Sequence, residues 1–236
     1  MFLLEKMIYK LSLYYNLIIK QKIFKKRQSY SQFEEDKFIF NFFSNTKKGV
    51  YVDIGCFHPI KYNNTALLYN NGWTGINIDI NQTSIDLFNI VRKNDKNICA
   101  AVSDESGFTE FYFDHKFSPI NSLNKEFSDY SAKNFSKRKF TKKKVKKFIF
   151  HELIDEYKIN LGNIDFLNID VETHDFKVLK GINFKKYKPS LICIELYNKN
   201  LEIEEKKFIE FLSNYNYSLI KKIGPNGLFA LNKWRG

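Results

Sequence analysis

The stretch G-V-Y-V-D-I-G, residues 49–55, is a short apolar run that ends in an acid and a glycine. The stretches T-G-I-N-I-D-I, residues 74–80, and I-D-F-L-N-I-D, residues 164–170, repeat this pattern further along the chain. Each is followed by a segment with apolar residues at helical spacing, so we predict buried parallel strands that alternate with helices. Because the carboxyl ends of such strands meet at one edge of a sheet, we expect Asp53, Asp79 and Asp170 to lie there together.

The rest of the chain extends this alternation. Helical spacing predicts further helices over residues 31–43, 64–71, 85–91, 174–180 and 202–214. Strand patterns cover residues 98–102, 107–113, 145–150, 191–196, 217–223 and 228–231. The turn sequence G-P-N-G, residues 224–227, predicts a hairpin between the last two strands, and Gly181 follows a helix where a left-handed residue is favoured. We therefore predict an α/β fold with a doubly wound, Rossmann-like, mostly parallel sheet, an antiparallel C-terminal hairpin strand and N-terminal helices.

The positive charge of the chain is concentrated in two segments. The 236 residues carry a formal net charge of +12, of which residues 1–30 contribute +6 and residues 131–150 contribute +9, so the remainder carries −3. A nucleic-acid-binding domain spreads its basic residues over one face, and this distribution gives no expectation of a nucleic-acid partner. We expect a basic N-terminal helix at 1–30 and one domain at 31–236, in which 118–144, rich in Ser, Asn and Lys, forms a long loop or insert.

The N-terminal segment has an apolar stripe at helical spacing, formed by Leu4, Ile8, Leu11, Tyr15 and Ile18. Lysines interrupt it before it reaches the length of a membrane-spanning helix, and its charge distribution is not that of a secretory signal. Two hypotheses remain open at this point: peripheral contact with an anionic membrane surface, or packing on the domain or on another subunit, including a homodimer. A cytoplasmic location, including a peripheral position on the inner membrane, is the expectation.

The spacing of the first two acids favours a nucleoside ligand. Asp79 follows Asp53 by 26 residues, which resembles the spacing at which an acid of a nucleotide-binding unit accepts hydrogen bonds from two ribose hydroxyls. The loop D-I-G-C-F-H-P, residues 53–59, has one glycine and leaves little room for a pyrophosphate. A nucleoside without phosphates, such as S-adenosylmethionine, is favoured over NAD(P). An NAD(P)-dependent oxidoreductase and a non-enzymatic basic module that binds membranes or nucleic acid remain the alternatives.

An ordered series of motifs over about residues 30–200 resembles the FkbM family of methyltransferases. The series consists of S-Q-F-E-E-D (31–36), Y-V-D-I-G (51–55) with His58-Pro59, N-T (64–65), L-Y (68–69), G-W (72–73), G-I (75–76), A-V-S-D (101–104), N-S-L (121–123), F-L-N-I-D-V-E-T-H (166–174), V-L-K-G (178–181) and 189–195. Two positions differ from the family pattern: Asn168 stands where the family usually has Lys, and Thr173 where it usually has Gly.

The resemblance implies a class I S-adenosylmethionine-dependent O-methyltransferase that acts on a hydroxyl of a sugar, glycan or similar small molecule, as in bacterial polysaccharide biosynthesis. It implies that Asp53 and Gly55 line the methionine and ribose part of the cofactor and that Asp79 binds the ribose. Ser103 and Asp104 are expected near the adenine. The residues expected to face the methyl acceptor are Asp170, Glu172 and His174.

Loss of the acceptor proton requires a base, and four residues are candidates for catalysis: Asp170, His174, Glu172 and His58. A divalent metal held by Asp170 and Glu172 is the weaker alternative, since the two side chains share a face only while the chain stays extended. Glu195, beside Tyr197 and Asn198, is a candidate lining residue of the acceptor site. Cys56, Cys99 and Cys193 lie far apart in the sequence and are expected to be reduced.

Overall fold

The computed structural model describes residues 2–198 and 202–232, so Met1 of the predicted N-terminal helix and the last four residues of the predicted domain lie outside the described residues. The helices are α1 (Phe2–Tyr14), α2 (Glu35–Phe42), α3 (Ala66–Asn70), α4 (Gln82–Val91), α5 (Lys125–Ser131), α6 (Phe150–Glu156), α7 (Asp175–Lys180) and α8 (Glu205–Ser213). The strands are β1 (Val50–Ile54), β2 (Thr74–Asp79), β3 (Lys96–Cys99), β4 (Ala101–Val102), β5 (Gly107–Phe113), β6 (Thr141–Phe148), β7 (Phe166–Ile169), β8 (Leu191–Glu195), β9 (Tyr217–Ile223) and β10 (Asn226–Leu231). Two π-helical segments, Tyr15–Lys20 and Ala132–Ser136, continue α1 and α5.

The main sheet has the strand order β3-β2-β1-β7-β8-β10-β9. Its first five strands are parallel, and β10 runs antiparallel to both β8 and β9. The strands β1, β2, β7 and β8 are buried along most of their length, which explains their nearly continuous apolar sequences. The predicted α/β fold, with a doubly wound, mostly parallel sheet and an antiparallel C-terminal hairpin, is confirmed.

The strand order reverses beside β1. From β1 the chain proceeds outward through β2 to β3, and it later returns to place β7 on the other side of β1. Helices on the two sides of such a reversal leave a crevice at the carboxyl ends of the two central strands. Gly55 follows β1 and Asp170 follows β7 at this edge, so the topology brings these two predicted site residues to the crevice.

A second, smaller sheet follows β3, with the order β4-β6-β5. The predicted strand at 98–102 is divided, because the chain leaves the main sheet after Cys99 and enters the small sheet at Ala101. The expectation of a long loop over 118–144 is wrong in part, since this segment contains α5 and the beginning of β6. Strand β6 pairs with β5 and is exposed over most of its length, and its sequence T-K-K-K-V-K-K-F shows little apolar periodicity.

Helix α1 packs on the domain through a stripe that differs from the predicted one. Tyr9, Leu13 and Leu17 contact the α4 residues Leu87 and Ile90. The hydroxyl of Tyr9 donates a hydrogen bond of 2.6 Å to Asp86. The predicted stripe of Leu4, Ile8, Leu11, Tyr15 and Ile18 remains exposed. In the described residues, no helix is long and apolar enough to span a lipid bilayer.

Gly181 ends α7, but the reason expected for this glycine is wrong. Its φ of −75° lies in the right-handed region, so no left-handed conformation is needed. A Cβ at this position would lie 2.2 Å from the carbonyl oxygen of Ser103. The glycine is therefore required because α7 approaches the backbone after β4 closely, which a sequence pattern alone does not reveal.

Candidate functional site

A cavity of about 810 Å³, open to solvent, lies at the carboxyl ends of the central strands. Its floor is formed by residues after β1, β2 and β7, and a wall is contributed by the segment between β5 and α5. The lining residues are Gln32, Ile54, Gly55, Phe57, Tyr62, Ile78, Asp79, Ile80, Asn81, Ser84, Ala100, Ala101, Val102, Ser118, Pro119, Asn121, Ser122, Leu123, Asp170, Val171 and Glu172.

Gly55 brings the ends of β1 and β7 together. Its φ is +84°, and a Cβ at this position would lie 1.7 Å from the carbonyl oxygen of Asp170. Its N–H donates a hydrogen bond of 2.8 Å to the carbonyl oxygen of Ile78, which ties the turn to β2 as well. Both the backbone conformation and the close approach require glycine, so Gly55 shapes the floor of the cavity.

Asp79 is fixed at the end of β2 by backbone donors. Its Oδ2 accepts a 2.8 Å hydrogen bond from the N–H of Phe57, and its Oδ1 accepts a 2.7 Å hydrogen bond from the N–H of Asn81. Burial raises the pKa of this carboxyl to about 6, although the two backbone hydrogen bonds act in the opposite direction. Asp79 is therefore ionised near neutral pH and can still accept hydrogen bonds from the cavity.

Asp53 has a different environment from the one the sequence suggested. Its carboxylate does not line the cavity; it is completely buried and accepts hydrogen bonds from Asn63, Thr65 and Asn168 at 2.8–3.1 Å. Burial raises its pKa, and the nearby Arg92 guanidinium opposes that rise. Asp53 holds the loop after β1 in place beneath the cavity.

Arg92, at the end of α4, is the residue that sequence reasoning missed here. Its side chain is almost completely buried, and its guanidinium donates to Thr65 Oγ1 at 2.7 Å, Asn63 Oδ1 at 2.6 Å and the carbonyl oxygen of Pro59 at 2.9 Å. It lies over the ring of Phe88, 4.8 Å from the centroid. No sequence pattern predicts its buried position, because Arg92 looks like any charged residue at the end of a helix and is buried only by the fold of the loop after β1.

Ser103, Asp104 and His174 form a group outside the residues that line the cavity. The hydroxyl of Ser103 lies 3.0 Å from His174 Nε2, and the Asp104 carboxylate forms a 2.6 Å ion pair with Lys180. Burial lowers the pKa of His174 to about 4, so its imidazole is neutral at physiological pH. The neighbouring backbone at Ala100–Val102 lines the cavity, and the group supports that backbone from behind.

His58 also lies away from the cavity. Its Nε2 is 2.9 Å from Asn16 Oδ1, and its Nδ1 accepts from the N–H of Ile60 at 3.2 Å. Burial lowers its pKa to about 3. The contact with Asn16 joins the loop after β1 to the N-terminal helical segment, and the contact with Ile60 lies within the loop.

A second cavity, of about 480 Å³, adjoins the first and shares Gln32, Tyr62 and Asp170 with it. Its other lining residues are Phe33, Glu35, Asn64, Glu195, Tyr197, Pro225 and Asn226. Glu195 and Tyr197 line this cavity, and Asn198 is not among its lining residues. Glu35 is held by Asn226, whose side-chain amide donates a 2.7 Å hydrogen bond to it. Asp170 is the carboxylate common to the two cavities.

The turn after β7 has an unusual backbone. Glu172 and Thr173 have φ values of +55° and +68°, a conformation that non-glycine residues rarely adopt. Two contacts from the wall segment hold the turn: Ser122 Oγ donates to the carbonyl oxygen of Glu172 at 3.0 Å, and Asn124 Nδ2 donates to Thr173 Oγ1 at 2.7 Å. The left-handed conformation at 173 explains why the family that this sequence resembles usually has glycine at this position.

Carboxylates dominate the electrostatics between the two cavities. Burial raises the pKa of Asp170 to about 7, and the neighbouring charges of Asp53, Glu35 and Asp79 add to that rise. Burial followed by repulsion from Asp170 also raises the pKa values of Glu172, Asp175 and Glu195. The three carboxylates that approach closely enough to share a metal ion are Asp170, Asp175 and Glu195. Glu172 is not a member of this group of three.

Comparison with known protein families agrees with this arrangement. A model described as the methyltransferase FkbM domain matches residues 53–219, which is more than half of the chain. The match runs from Asp53 at the end of β1 into β9 and contains the site residues from Gly55 to Glu195. A search of curated proteins found no match.

Proposed function

Because this chain belongs to the FkbM family of methyltransferases, whose members use S-adenosylmethionine, we propose that it methylates a hydroxyl group of a sugar, a glycan or a similar small molecule. The observation that carries the proposal is the charge of the main cavity. Asp79, Asp170 and Glu172 line it, and none of its described lining residues is Lys, Arg or His. Such a cavity favours a ligand with a positive charge over the pyrophosphate of NAD(P).

The cavity has suitable groups for the parts of this cofactor. Asp79, ionised and rigidly held, is the acceptor for the two ribose hydroxyls. The backbone after β3 and the side chain of Leu123 offer an apolar surface for the adenine. When bound, S-adenosylmethionine supplies an electrophilic methyl group carried on a sulfonium. The carboxylates of Asp170 and Glu172 lower the energy of a positive charge at this point and so favour the charged cofactor.

The acceptor belongs in the second cavity on this proposal, with Asp170 between acceptor and cofactor. An Asp170 oxygen is available to take the proton of a hydroxyl that lies in that position, and the raised pKa of the carboxyl makes it a stronger base than an exposed aspartate. Glu35, Asn64 and Glu195 are available to accept hydrogen bonds from neighbouring hydroxyls. Several acceptors in one small cavity favour a polyhydroxylated molecule, because each unpaired acceptor would be costly when buried.

Calorimetry with S-adenosylhomocysteine tests the cofactor part of this proposal. We expect wild-type protein to bind it and Asp79→Asn to bind at least tenfold more weakly, since a hydrogen bond to a charged group is worth about 1.5–3 kcal/mol. Asp129→Asn, which changes an exposed carboxylate of α5 in the same way, is the matched control and should bind as the wild type does. Absence of binding by the wild type would contradict the proposal.

The chemistry of the product tests the acceptor part. With S-adenosylmethionine labelled in the methyl group and a pool of polysaccharide precursors, we expect label in a product that survives mild alkali, because an alkyl ether is stable there. A methyl ester formed on a carboxylate would release labelled methanol under the same treatment. Release of all the label would show that the acceptor atom belongs to a carboxylate and would refute the hydroxyl assignment.

We also propose that the N-terminal segment binds an anionic membrane surface. Leu4, Ile8 and Leu11 are each more than half exposed, although α1 is packed on the domain through its opposite stripe. Exposed lysines at 10, 20, 22, 25 and 26 accompany this apolar stripe. An apolar face with adjoining cations matches the interface of an anionic bilayer. A location at the inner face of a bacterial membrane, close to lipid-linked acceptors, follows from this proposal.

Sedimentation with vesicles tests it. The wild type should bind vesicles that contain phosphatidylglycerol, more weakly as salt is raised, and should bind pure phosphatidylcholine poorly. Ile8→Glu with Leu11→Glu should abolish binding, whereas Phe108→Glu, at an exposed apolar residue of β5, should not. A dimer in solution that the double substitution dissociates, without vesicle binding by the wild type, would instead assign the stripe to a homodimer.

A further inference from the structure

Three carboxylates meet at the base of the second cavity from three different places in the fold. Asp170 follows β7, Asp175 begins α7, and Glu195 ends β8. One carboxylate oxygen of each lies within 4.8 Å of those of the other two. Because two neighbouring parallel strands and the following helix fix these positions, the cluster is part of the scaffold of the protein.

One oxygen in this cluster has no hydrogen-bond partner. Asp175 is completely buried; its Oδ1 accepts from the N–H of Val171 at 2.9 Å, and its Oδ2 is buried without a partner. A buried carboxylate oxygen left unpaired costs more than a neutral polar group, so protein structures rarely retain one without a ligand. This unpaired oxygen of Asp175 points to a bound ligand independently of the spacing of the three carboxylates.

The charge around the cluster is uncompensated within the described residues. The ion pairs of residues 2–198 and 202–232 involve other acids, and none of them includes Asp170, Asp175 or Glu195. Glu172 adds a fourth carboxyl group nearby, since its charge acts on Glu195. Three or four acids in one place repel each other unless a cation or protons neutralise them.

We propose that Asp170, Asp175 and Glu195 bind one hard divalent cation at the base of the acceptor cavity. Carboxylate oxygens are the preferred ligands of Mg²⁺, Mn²⁺ and Ca²⁺. Two oxygens on opposite sides of an ion are separated by twice the metal–oxygen distance, which is about 4.6–5.2 Å for Ca²⁺ and about 4.0–4.2 Å for Mg²⁺. Separations of at most 4.8 Å are compatible with Ca²⁺, and Mg²⁺ or Mn²⁺ requires the side chains to move inward.

The cation gives the second cavity a specific use. This inference rests on the proposed function, in which a hydroxylated acceptor occupies that cavity. A divalent ion with three protein ligands keeps further coordination positions, and these suit the hydroxyl oxygens of the acceptor. A cation bound to Asp170 lowers the pKa of that carboxyl, and a hydroxyl that occupies one of the remaining coordination positions loses its proton more readily. The site thereby selects acceptors with neighbouring oxygen atoms that two coordination positions can hold.

Metal titration of the full-length protein, stripped beforehand with EDTA, tests the site. We expect one Mn²⁺ per chain by electron paramagnetic resonance, displaced by Ca²⁺ or Mg²⁺, and a higher thermal unfolding midpoint when the ion is bound. Asp175→Asn and Glu195→Gln should each weaken Mn²⁺ binding at least tenfold. Both are isosteric, and an amide at 175 can still accept from Val171. Asp129→Asn is the control and should keep wild-type binding.

The outcomes separate this inference from the proposed function. Binding of S-adenosylhomocysteine by the stripped wild type, without saturable Mn²⁺ binding at millimolar concentration, overturns the metal site and leaves the methyltransferase proposal intact. Mn²⁺ binding without any binding of S-adenosylhomocysteine overturns the methyltransferase proposal and leaves the metal site intact. If Asp175→Asn raises the unfolding midpoint in EDTA while the wild type shows no response to any of the three ions, protons neutralise the cluster and the inference is refuted.

Discussion

Asn168 shows how one side chain depends on its surroundings. It stands where the family usually has Lys. Its buried amide donates a hydrogen bond to Asp53 at 2.9 Å, and its oxygen accepts one from Asn64 at 2.9 Å. The positive charge that opposes Asp53 comes instead from Arg92. The departure at 168 therefore leaves Asp53 with both a hydrogen-bond donor and a nearby cation.

Arg92 should accordingly be among the most sensitive positions for stability. Arg92→Met leaves Asp53 buried without its nearby cation and leaves the oxygens of Thr65, Asn63 and Pro59 without their donor, and each buried group left unpaired costs about 1–3 kcal/mol. Urea denaturation measures the loss. The double variant with Asp53→Asn should recover part of it, because the uncompensated charge is then removed. No recovery in the double variant would show that Arg92 acts through packing alone.

Thr173 carries strain that glycine would relieve. A β-branched residue at φ +68° is unfavourable by about 1–3 kcal/mol. Thr173→Gly should therefore raise the free energy of unfolding by about 1 kcal/mol after the loss of the hydrogen bond from Asn124. Thr74→Gly, at an exposed position in β2 with ordinary strand geometry, should lower it. Equal destabilisation by the two substitutions would show that the turn is unstrained.

At the scale of elements, the structure differs most from the sequence-based interpretation at residues 118–144. The sequence presents this segment as a Lys-rich loop or insert, whereas in the structure its first part forms a wall of the main cavity and its last part belongs to β6. The wall is joined to the turn after β7 by hydrogen bonds from Ser122 and Asn124. The small sheet thus supports a segment that covers the cavity.

Loosening this wall should weaken cofactor binding. Ser122→Ala with Asn124→Ser removes both hydrogen bonds to the turn, while serine can still cap α5. We expect the Kd for S-adenosylhomocysteine to rise roughly tenfold, as two hydrogen bonds of about 0.5–1.5 kcal/mol each imply. Calorimetry measures this. Ser136→Ala removes a hydrogen bond to Asp114 in the same segment, away from the cavity, and should leave the Kd unchanged.

At the scale of the whole molecule, the basic segments and the acids of the site lie in different parts of the fold. The basic excess lies in the N-terminal segment and in residues 131–150, which include β6, and several acids gather at the carboxyl edge of the main sheet. Lys142 and Lys147 of β6 form ion pairs with Glu110 and Glu105, so part of that excess is neutralised locally. The net charge of +12 therefore describes surfaces remote from the site.

Acidity at the site should make cofactor binding depend on pH. Burial raises the pKa of Asp79 to about 6, so this carboxyl gains a proton as the pH falls through that value and loses its capacity to accept two hydroxyl donors. The affinity for S-adenosylhomocysteine should fall by up to tenfold per pH unit below about pH 6 and remain constant above about pH 7. Calorimetry at several pH values measures this. The decline should be absent in Asp79→Asn; the same decline in that variant would assign it to another group.

The sequence alone determined the fold class and the edge at which the site lies, because apolar runs that end in Asp53, Asp79 and Asp170 are local patterns that parallel sheets require. The ordered motifs led to the family, which the domain match confirms. Only the tertiary structure decided which acids face a cavity. It buried Asp53 among Asn63, Thr65 and Asn168, placed His58 and His174 within hydrogen-bond distance of Asn16 and Ser103, and brought Asp175 and Glu195 to Asp170. Such encounters depend on side chains from elements distant in sequence, and burial, hydrogen bonding and charge assign their roles only after those elements pack.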